Sequence, residues 1–214
     1  MTRFNSVVLD VDSTLSGIEG IDWLAQRRGS EIAAWSTALT DKAMRGEIPI
    51  EAVYGERMKV VRPTRSEIEQ LGGVYVDKVA PRARETLQAL RESGVQLVMV
   101  SGGLREAIVT LAGELGVPDA DLHAVSVFFD EAGQYEGFDE NSPLTRQEGK
   151  RKVVGGMTLK GPTLAVGDGM TDCEMKGVVH SFAAYTGYTR RSSVIERADF
   201  VIDNFDQLRE LVLQ

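Results

Sequence analysis

The sequence predicts an α/β fold in which helices flank both faces of a mostly parallel, doubly wound sheet. Helical patterns alternate with short apolar runs, and this alternation is typical of parallel sheets. The apolar runs are continuous rather than alternating, as in strands that are buried on both faces. They occupy residues 6–10, 95–103, 163–169, 181–185 and 199–203.

Two helices between the strands have clear signals. Residues 81–93 begin with Pro81 and end before Gly94, which are typical start and stop residues. Residues 104–115 carry their apolar side chains on one face at helical spacing. Further along the chain, residues 124–138 predict a hairpin with its turn at Asp130 to Gly133.

One segment interrupts the alternation. Residues 16–75 contain no convincing strand and predict four helices, at 19–28, 31–45, 50–61 and 64–71. The last one begins with Thr64 and Glu67 at capping-box spacing and is expected to end at Gly72-Gly73.

This helical insertion follows the first strand directly. It is therefore expected at the carboxyl edge of the sheet, where open α/β sheets bind ligands. We expect a helical cap, or lid, formed by residues 16–75 over a core domain formed by 1–15 and 76–214.

The composition is that of a globular chain. Its 214 residues are 43% hydrophobic and 26% charged, which excludes wholesale disorder. The net charge of −8 argues against nucleic-acid or anionic-membrane partners. The single cysteine, Cys173, allows no intrachain disulfide, and no apolar stretch approaches the ~18 residues of a spanning helix. We therefore expect a cytoplasmic monomer or homodimer.

Polar motifs follow three of the predicted strands. Asp10 and Asp12 end the first run, and Ser101 to Gly103 end the second. Asp168 lies at the end of the third run, and Asp172 follows it within GDGMTD. Ordinary turn and cap residues would account for each motif taken alone. Together they place acids, a hydroxyl and glycine-flanked amides at one sheet edge, and such amides bind anions.

Four carboxylates in one crevice repel one another. At an effective dielectric of about 20, two charges ~4 Å apart cost about 4 kcal/mol. Such a cluster requires a divalent cation, and all-oxygen ligation favours Mg²⁺. With Mg²⁺ bound and Lys150 nearby, the charges nearly cancel, and the site could accept a phosphate dianion.

The four motifs together resemble the haloacid dehalogenase-like (HAD) phosphatases, whose core is a Rossmann-like sheet. The resemblance implies that Asp10 is the nucleophile that forms an aspartyl-phosphate and that Asp12 is the general acid and base. It implies that the phosphoryl group is bound by Ser101, Gly102, Gly103 and Lys150. It also implies that Mg²⁺ is held by Asp10, Asp168, Asp172 and the backbone carbonyl of Asp12.

Within that family, the segments DVDSTLSGIEGIDWLA and KAMRGEIPIEAVYGERMKVVRP are similar to the phosphoserine phosphatases. This resemblance implies that Glu19 binds the substrate ammonium and Arg57 its carboxylate, while Met44 lines the pocket. Thr171 stands where many members have Asn. Ile50 replaces an aromatic residue that is usual in the cap pocket.

Outside the cap, the run Ala124 to Val127 replaces an Ala-Asn-Arg-Leu run that is usual before the hairpin. His123 and His180 lie outside the motifs and are interpreted as structural residues, and Cys173 as a packed thiol.

The implied activity is Mg²⁺-dependent hydrolysis of O-phospho-L-serine to L-serine and phosphate, the last step of serine biosynthesis. A second possibility keeps the fold and acts on another small phosphomonoester, as a phosphatase or as a phosphotransferase to homoserine. A third, a non-catalytic module that binds phosphorylated ligands, is disfavoured because Asp10, Asp12, Lys150 and Asp168 are all intact.

Overall fold

The computed structural model describes residues 2–214. Within this range the strands are β1 (Ser6–Leu9), β2 (Gln96–Leu104), β3 (Leu122–Val125), β4 (Val127–Phe129), β5 (Tyr135–Phe138), β6 (Thr163–Gly167), β7 (Ser181–Tyr185) and β8 (Phe200–Ile202). Six of them form one parallel sheet in the order β3-β2-β1-β6-β7-β8. β4 and β5 form a separate antiparallel hairpin. The five predicted strands and the parallel α/β class are confirmed.

The helices of the described range are α1 (Gly20–Gln26), α2 (Ser30–Met44), α3 (Tyr54–Val61), α4 (Arg65–Asp77), α5 (Ala83–Glu92), α6 (Arg105–Glu114), α7 (Gly149–Gly155), α8 (Met170–Cys173), α9 (Ser192–Ile195) and α10 (Phe205–Leu213). Short 3-10 turns lie at Ile50–Ala52, Asp119–Asp121, Pro143–Thr145 and Glu174–Gly177. None of these helices is both long and apolar enough to cross a bilayer.

The register of the central strands aligns the predicted motifs. Leu9 of β1 pairs with Met99 of β2 on one side and with Val166 of β6 on the other. Every residue of β1 and β6 is buried, in keeping with their continuous apolar runs. The carboxyl ends of the three motif-bearing strands therefore meet at one edge of the sheet.

Two expected boundaries were wrong. Ala124 and Val125 belong to β3, which pairs with β2, so the hairpin occupies only 127–138. β3, the strand of the sheet that was not predicted, has four residues. His123 and Ala124 are only half-buried, so the apolar signal of this strand is weak.

The other error concerns the end of α4. The helix begins at Thr64 with the predicted capping box but continues through Gly72-Gly73 to Asp77. A Cβ atom on Gly72 would lie 2.8 Å from Thr110 Oγ1 and 3.2 Å from the carbonyl oxygen of Ala107, both on α6. The glycine therefore permits close contact between two helices and does not end one.

The helical insertion lies between β1 and α5 in the chain. α1 packs against α2, α3 and α4, and α4 also lies along α6 beside the sheet. The division into a core and a cap at residues 75/76 stays a prediction, and α4 crosses that boundary.

Candidate active site

Asp10 follows β1 and continues its pairing with β6, because its amide donates a hydrogen bond of 3.0 Å to the carbonyl of Val166. Its side chain is buried beside the ammonium of Lys150, which lies in the first turn of α7. Lys150 Nζ lies 2.6 Å from Asp10 Oδ1 and 2.7 Å from Asp172 Oδ1. Burial lowers the pKa of Lys150, but these two carboxylates raise it above its usual value, so the lysine is charged.

Three buried carboxylates form an acidic trio, defined as Asp10, Asp168 and Asp172. Each offers an oxygen, and these oxygens all lie within 4.8 Å of one another. Burial and the charge of Asp172 raise the pKa of Asp10 well above its usual value. Oxygen donors that repel one another at this spacing suit a hard divalent cation, so the trio could hold a metal ion.

Asp168 has a cationic partner that sequence reasoning missed. Its carboxylate is ion-paired with the buried guanidinium of Arg191, which also donates to the backbone carbonyl of Asp168 at 3.3 Å. Burial raises the pKa of Asp168 to about 7, although Arg191 lowers it. Arg191 precedes α9, and its Nη2 lies 3.9 Å from Asp41 of α2. It therefore joins the sheet edge to the helical insertion.

The carboxylate of Asp12 is not part of the acidic trio. Its Oδ1 accepts hydrogen bonds of 2.7 Å from the hydroxyl of Tyr75 and 2.7 Å from the amide of Gly20. Its Oδ2 accepts one of 3.3 Å from Ser101 Oγ. Burial raises the pKa of Asp12, so this carboxyl is suited to carrying a proton. Tyr75 is a second residue that sequence reasoning missed.

Ser101 to Gly103 occupy the end of β2 beside Asp12. The Gly103 amide donates to Ser101 Oγ at 2.9 Å, which fixes the hydroxyl. A Cβ atom on Gly103 would lie 2.7 Å from Asp12 Oδ2. Glycine is therefore required at this position for the backbone to approach the carboxylate.

Glu19 lies just before α1, at its N-cap position. Its Oε1 accepts a hydrogen bond of 2.7 Å from Ser13 Oγ. Burial, followed by the charges of Asp12 and Asp168, raises the pKa of Glu19 well above its usual value. A cationic ligand group beside Glu19 would relieve this excess of negative charge.

Arg57 of α3 lies within a buried polar cluster that we call the Arg57 cluster, formed by Asp22, Ser36, Thr40 and Arg57. Arg57 Nη2 donates to Asp22 Oδ1 at 2.7 Å, and Nε donates to Ser36 Oγ at 3.0 Å. The hydroxyls of Ser36 and Thr40 donate to the same Asp22 oxygen at 2.5 and 3.1 Å. Asp22 follows Glu19 by three residues, and its sequence position gave no signal of this role.

One cavity between the sheet edge and the helical insertion brings the predicted site residues together. Its walls include Asp10, Asp12, Glu19, Met44, Arg57, Ser101, Gly102, Gly103, Lys150, Asp168 and Thr171. Ile50 and Tyr54 also line it. Asp172 does not line the cavity. Its Oδ1 accepts a hydrogen bond from Lys150, and its Oδ2 accepts one of 3.0 Å from the Gly169 amide. The residues of the sheet edge that could transfer a phosphoryl group therefore share one cavity with a carboxylate, Glu19, and a guanidinium, Arg57.

A buried acid cluster and a lysine at the carboxyl edge of a parallel sheet define a class of hydrolases. Residues 4–175 match the model of the haloacid dehalogenase-like hydrolases, and the chain belongs to that family. Among its relatives are phosphoserine phosphatases. The chain is 33% identical to that of Rattus norvegicus, over 95% of this chain and 91% of the relative. It is 36% identical to the chloroplastic enzyme of Arabidopsis thaliana, over 95% of this chain and 70% of the relative.

Solved structures share the fold. A phosphoserine phosphohydrolase-like protein from Francisella tularensis superposes with a TM-score of 0.87 at 24% identity, covering 98% of this chain and 100% of that one. A phosphoserine phosphatase that holds an analogue of the phospho-aspartyl intermediate gives a TM-score of 0.79 at 22% identity, covering 97% and 98%. The family expected from the motifs is confirmed.

Proposed function

We propose that this protein is a Mg²⁺-dependent phosphoserine phosphatase, which hydrolyses O-phospho-L-serine to L-serine and phosphate. The observation that carries the proposal is the cavity itself. It joins the nucleophile and phosphoryl-binding groups of the sheet edge to one carboxylate, Glu19, and one guanidinium, Arg57. The names of the relatives support the same substrate. The reaction would be the last step of serine biosynthesis.

Asp10 would attack phosphorus with the oxygen that Lys150 leaves free. A phosphorus–oxygen bond to the Asp10 carboxylate forms as the bond from phosphorus to the serine oxygen breaks. Asp12 protonates the departing oxygen, because its raised pKa lets it hold that proton within a buried site. L-serine then leaves, and the aspartyl-phosphate remains.

The second displacement would reverse the role of Asp12. Its carboxylate now accepts a proton from a water molecule, and the resulting hydroxide attacks the phosphorus of the aspartyl-phosphate. The phosphorus–oxygen bond to Asp10 breaks, which returns the free carboxylate and releases phosphate. Tyr75 and the Gly20 amide hold Asp12 in place through both steps.

Charge on the phosphoryl oxygens would be stabilised by Lys150, the Ser101 hydroxyl and the amides of Gly102 and Gly103. The acidic trio and the Asp12 carbonyl would hold Mg²⁺, which would supply further positive charge there. Asp172 orients Lys150 through their 2.7 Å contact.

Substrate recognition would use both charged groups of an amino acid, its ammonium and its carboxylate. Glu19 binds the ammonium and Arg57 the carboxylate, while Met44 and Thr171 line the space between cap and sheet edge. Ile50 also lines this space. Closure of the helices over the sheet edge would exclude water. The cytoplasmic location and the monomeric or homodimeric state stay predictions.

The test is phosphate release by the purified protein with Mg²⁺. The kcat/KM for phospho-L-serine is compared with those for phosphothreonine, phosphoethanolamine, phosphohomoserine and an aryl phosphate. A preference for phospho-L-serine of 100-fold, about 2.7 kcal/mol of transition-state discrimination, supports the assignment. A flat profile would reject the substrate while keeping the chemistry, and no turnover of any ester would reject both.

A further inference from the structure

The hydroxyl of Tyr54 is buried without a hydrogen-bond partner. The residue is 2% exposed and lines the cavity beside Arg57. Among residues 2–214, no group forms a hydrogen bond with its oxygen. Buried polar groups in native proteins are almost always paired, and those that are not need an explanation. An unpaired hydroxyl in the wall of a ligand cavity is explained by a ligand that pairs with it.

Packing holds the ring that carries this hydroxyl. The ring of Tyr54 contacts the ring of Phe138 of the hairpin, with centroids 5.2 Å apart at an angle of 57°. Tyr54 and Arg57 are three residues apart on α3, and side chains at this spacing are neighbours on one helix face. Tyr54 and Arg57 therefore extend from the same face of α3, and both line the cavity.

The chemistry at this end favours an anionic ligand group. Burial raises the pKa of Tyr54, so the phenol is neutral and has a proton to donate. Arg57 is the charged residue that acts on it most strongly. Arg57 bonds Ser36 and Asp22 through Nε and Nη2, and Nη1 has no acceptor among the described residues. Two donors that the protein leaves unused, on neighbouring residues of one helix face, match the two oxygens of a carboxylate.

We propose that Tyr54 is a specificity-determining residue, whose hydroxyl donates a hydrogen bond to the carboxylate of a phosphorylated amino acid beside Arg57. This inference rests on the proposed function and adds a residue to it. A substrate with a carboxylate satisfies the hydroxyl. Phosphoethanolamine, which has the ammonium but no carboxylate, leaves it unpaired, and a site with an unpaired buried donor discriminates against such a substrate.

Tyr54→Phe tests the inference, because it removes one oxygen and keeps the ring against Phe138. We expect kcat/KM for phospho-L-serine to fall about tenfold through KM, since the lost bond is present before and during the reaction. The values for phosphoethanolamine and an aryl phosphate stay unchanged. In an Asp10→Asn background, which binds without turnover, calorimetry gives a similar loss of phospho-L-serine affinity.

Tyr188→Phe is the matched control, because it removes the same atom from an exposed ring outside the cavity. It changes none of these values. The unliganded Tyr54→Phe protein melts at or above the wild-type temperature, because its oxygen has no protein partner to lose.

Equal losses on all substrates, or a lower melting temperature without ligand, would overturn the inference in favour of a structural role. An unchanged preference for phospho-L-serine in Tyr54→Phe would overturn it as well. A wild-type protein that does not prefer phospho-L-serine over phosphoethanolamine refutes the proposed function itself, which separates the two failures.

Discussion

The guanidinium of Arg57 lies against the carboxylate of Asp22, with Nη2 2.7 Å from Oδ1 and both side chains less than a tenth exposed. Ser36 bonds both partners. Arg57, the residue predicted to bind the substrate carboxylate, is therefore held in position before any substrate binds. A guanidinium that is already oriented loses less conformational freedom when a ligand binds.

Asp22→Asn is expected to destabilise the protein by about 3 kcal/mol, because it leaves a buried guanidinium without its counter-ion. The free energy of unfolding in urea measures this loss. Glu47→Gln is the control, since it breaks an exposed pair with Arg45 and should give no measurable change. Equal stability of the two variants would mean that the Asp22–Arg57 pair contributes nothing.

The strands and their end motifs could be predicted because their signals are local. A continuous apolar run indicates a buried strand, and parallel strands bring their carboxyl ends together whatever the intervening chain does. Asp10, Ser101 and Asp168 therefore met as expected.

The residues that support these motifs could not be predicted, because their partners are distant in the chain. Tyr75 bonds Asp12 across 63 residues, and Arg191 bonds Asp168 across 23. A lone tyrosine or arginine on a helix or in a loop has no local pattern that separates it from a surface residue.

Gly72 and Gly73 are a second case in which local sequence does not reveal a tertiary contact, because only Gly72 lies against another helix. Gly72→Ala is expected to cost about 1–3 kcal/mol, because the new methyl group would press on Thr110 and on the backbone of α6. Gly73→Ala is the matched control. Nothing lies within 4 Å of its added Cβ, so it should stabilise α4 by about 0.5–1 kcal/mol. The free energy of unfolding in urea is measured for both variants. A change of the same sign in both would contradict the contact between α4 and α6 at Gly72.

Glu67 is expected to make stability depend on pH in the acid range. The hydrogen bonds from Arg28, and those of the Thr64 cap, lower the pKa of Glu67 from 4.5 to about 2. A carboxyl whose pKa is lowered on folding stabilises the protein above its unfolded pKa and loses that contribution as the pH falls through the folded value.

Glu67→Gln should therefore be less stable than wild type by about 1–2 kcal/mol at pH 7, with the gap closing between pH 4.5 and 2. Urea unfolding at a series of pH values measures it. Glu56→Gln, which breaks an exposed pair with Lys59, serves as the control and should show no such closure. A gap that is constant down to pH 2 would assign the loss to packing instead of charge.

Asp10→Asn is expected to abolish phosphate release while preserving the fold. An amide cannot form the aspartyl-phosphate, so neither displacement begins.

Without Mg²⁺ the melting temperature of Asp10→Asn should not fall, because the substitution removes one of three carboxylates that repel one another. Adding Mg²⁺ should raise the melting temperature of wild type more than that of the variant, which lacks one ligand of the trio. Asp77→Asn, on the exposed end of α4, controls for charge and should retain both activity and the full Mg²⁺ effect. Phosphate release at the wild-type rate by Asp10→Asn would end the covalent mechanism, and equal Mg²⁺ shifts would place the ion elsewhere.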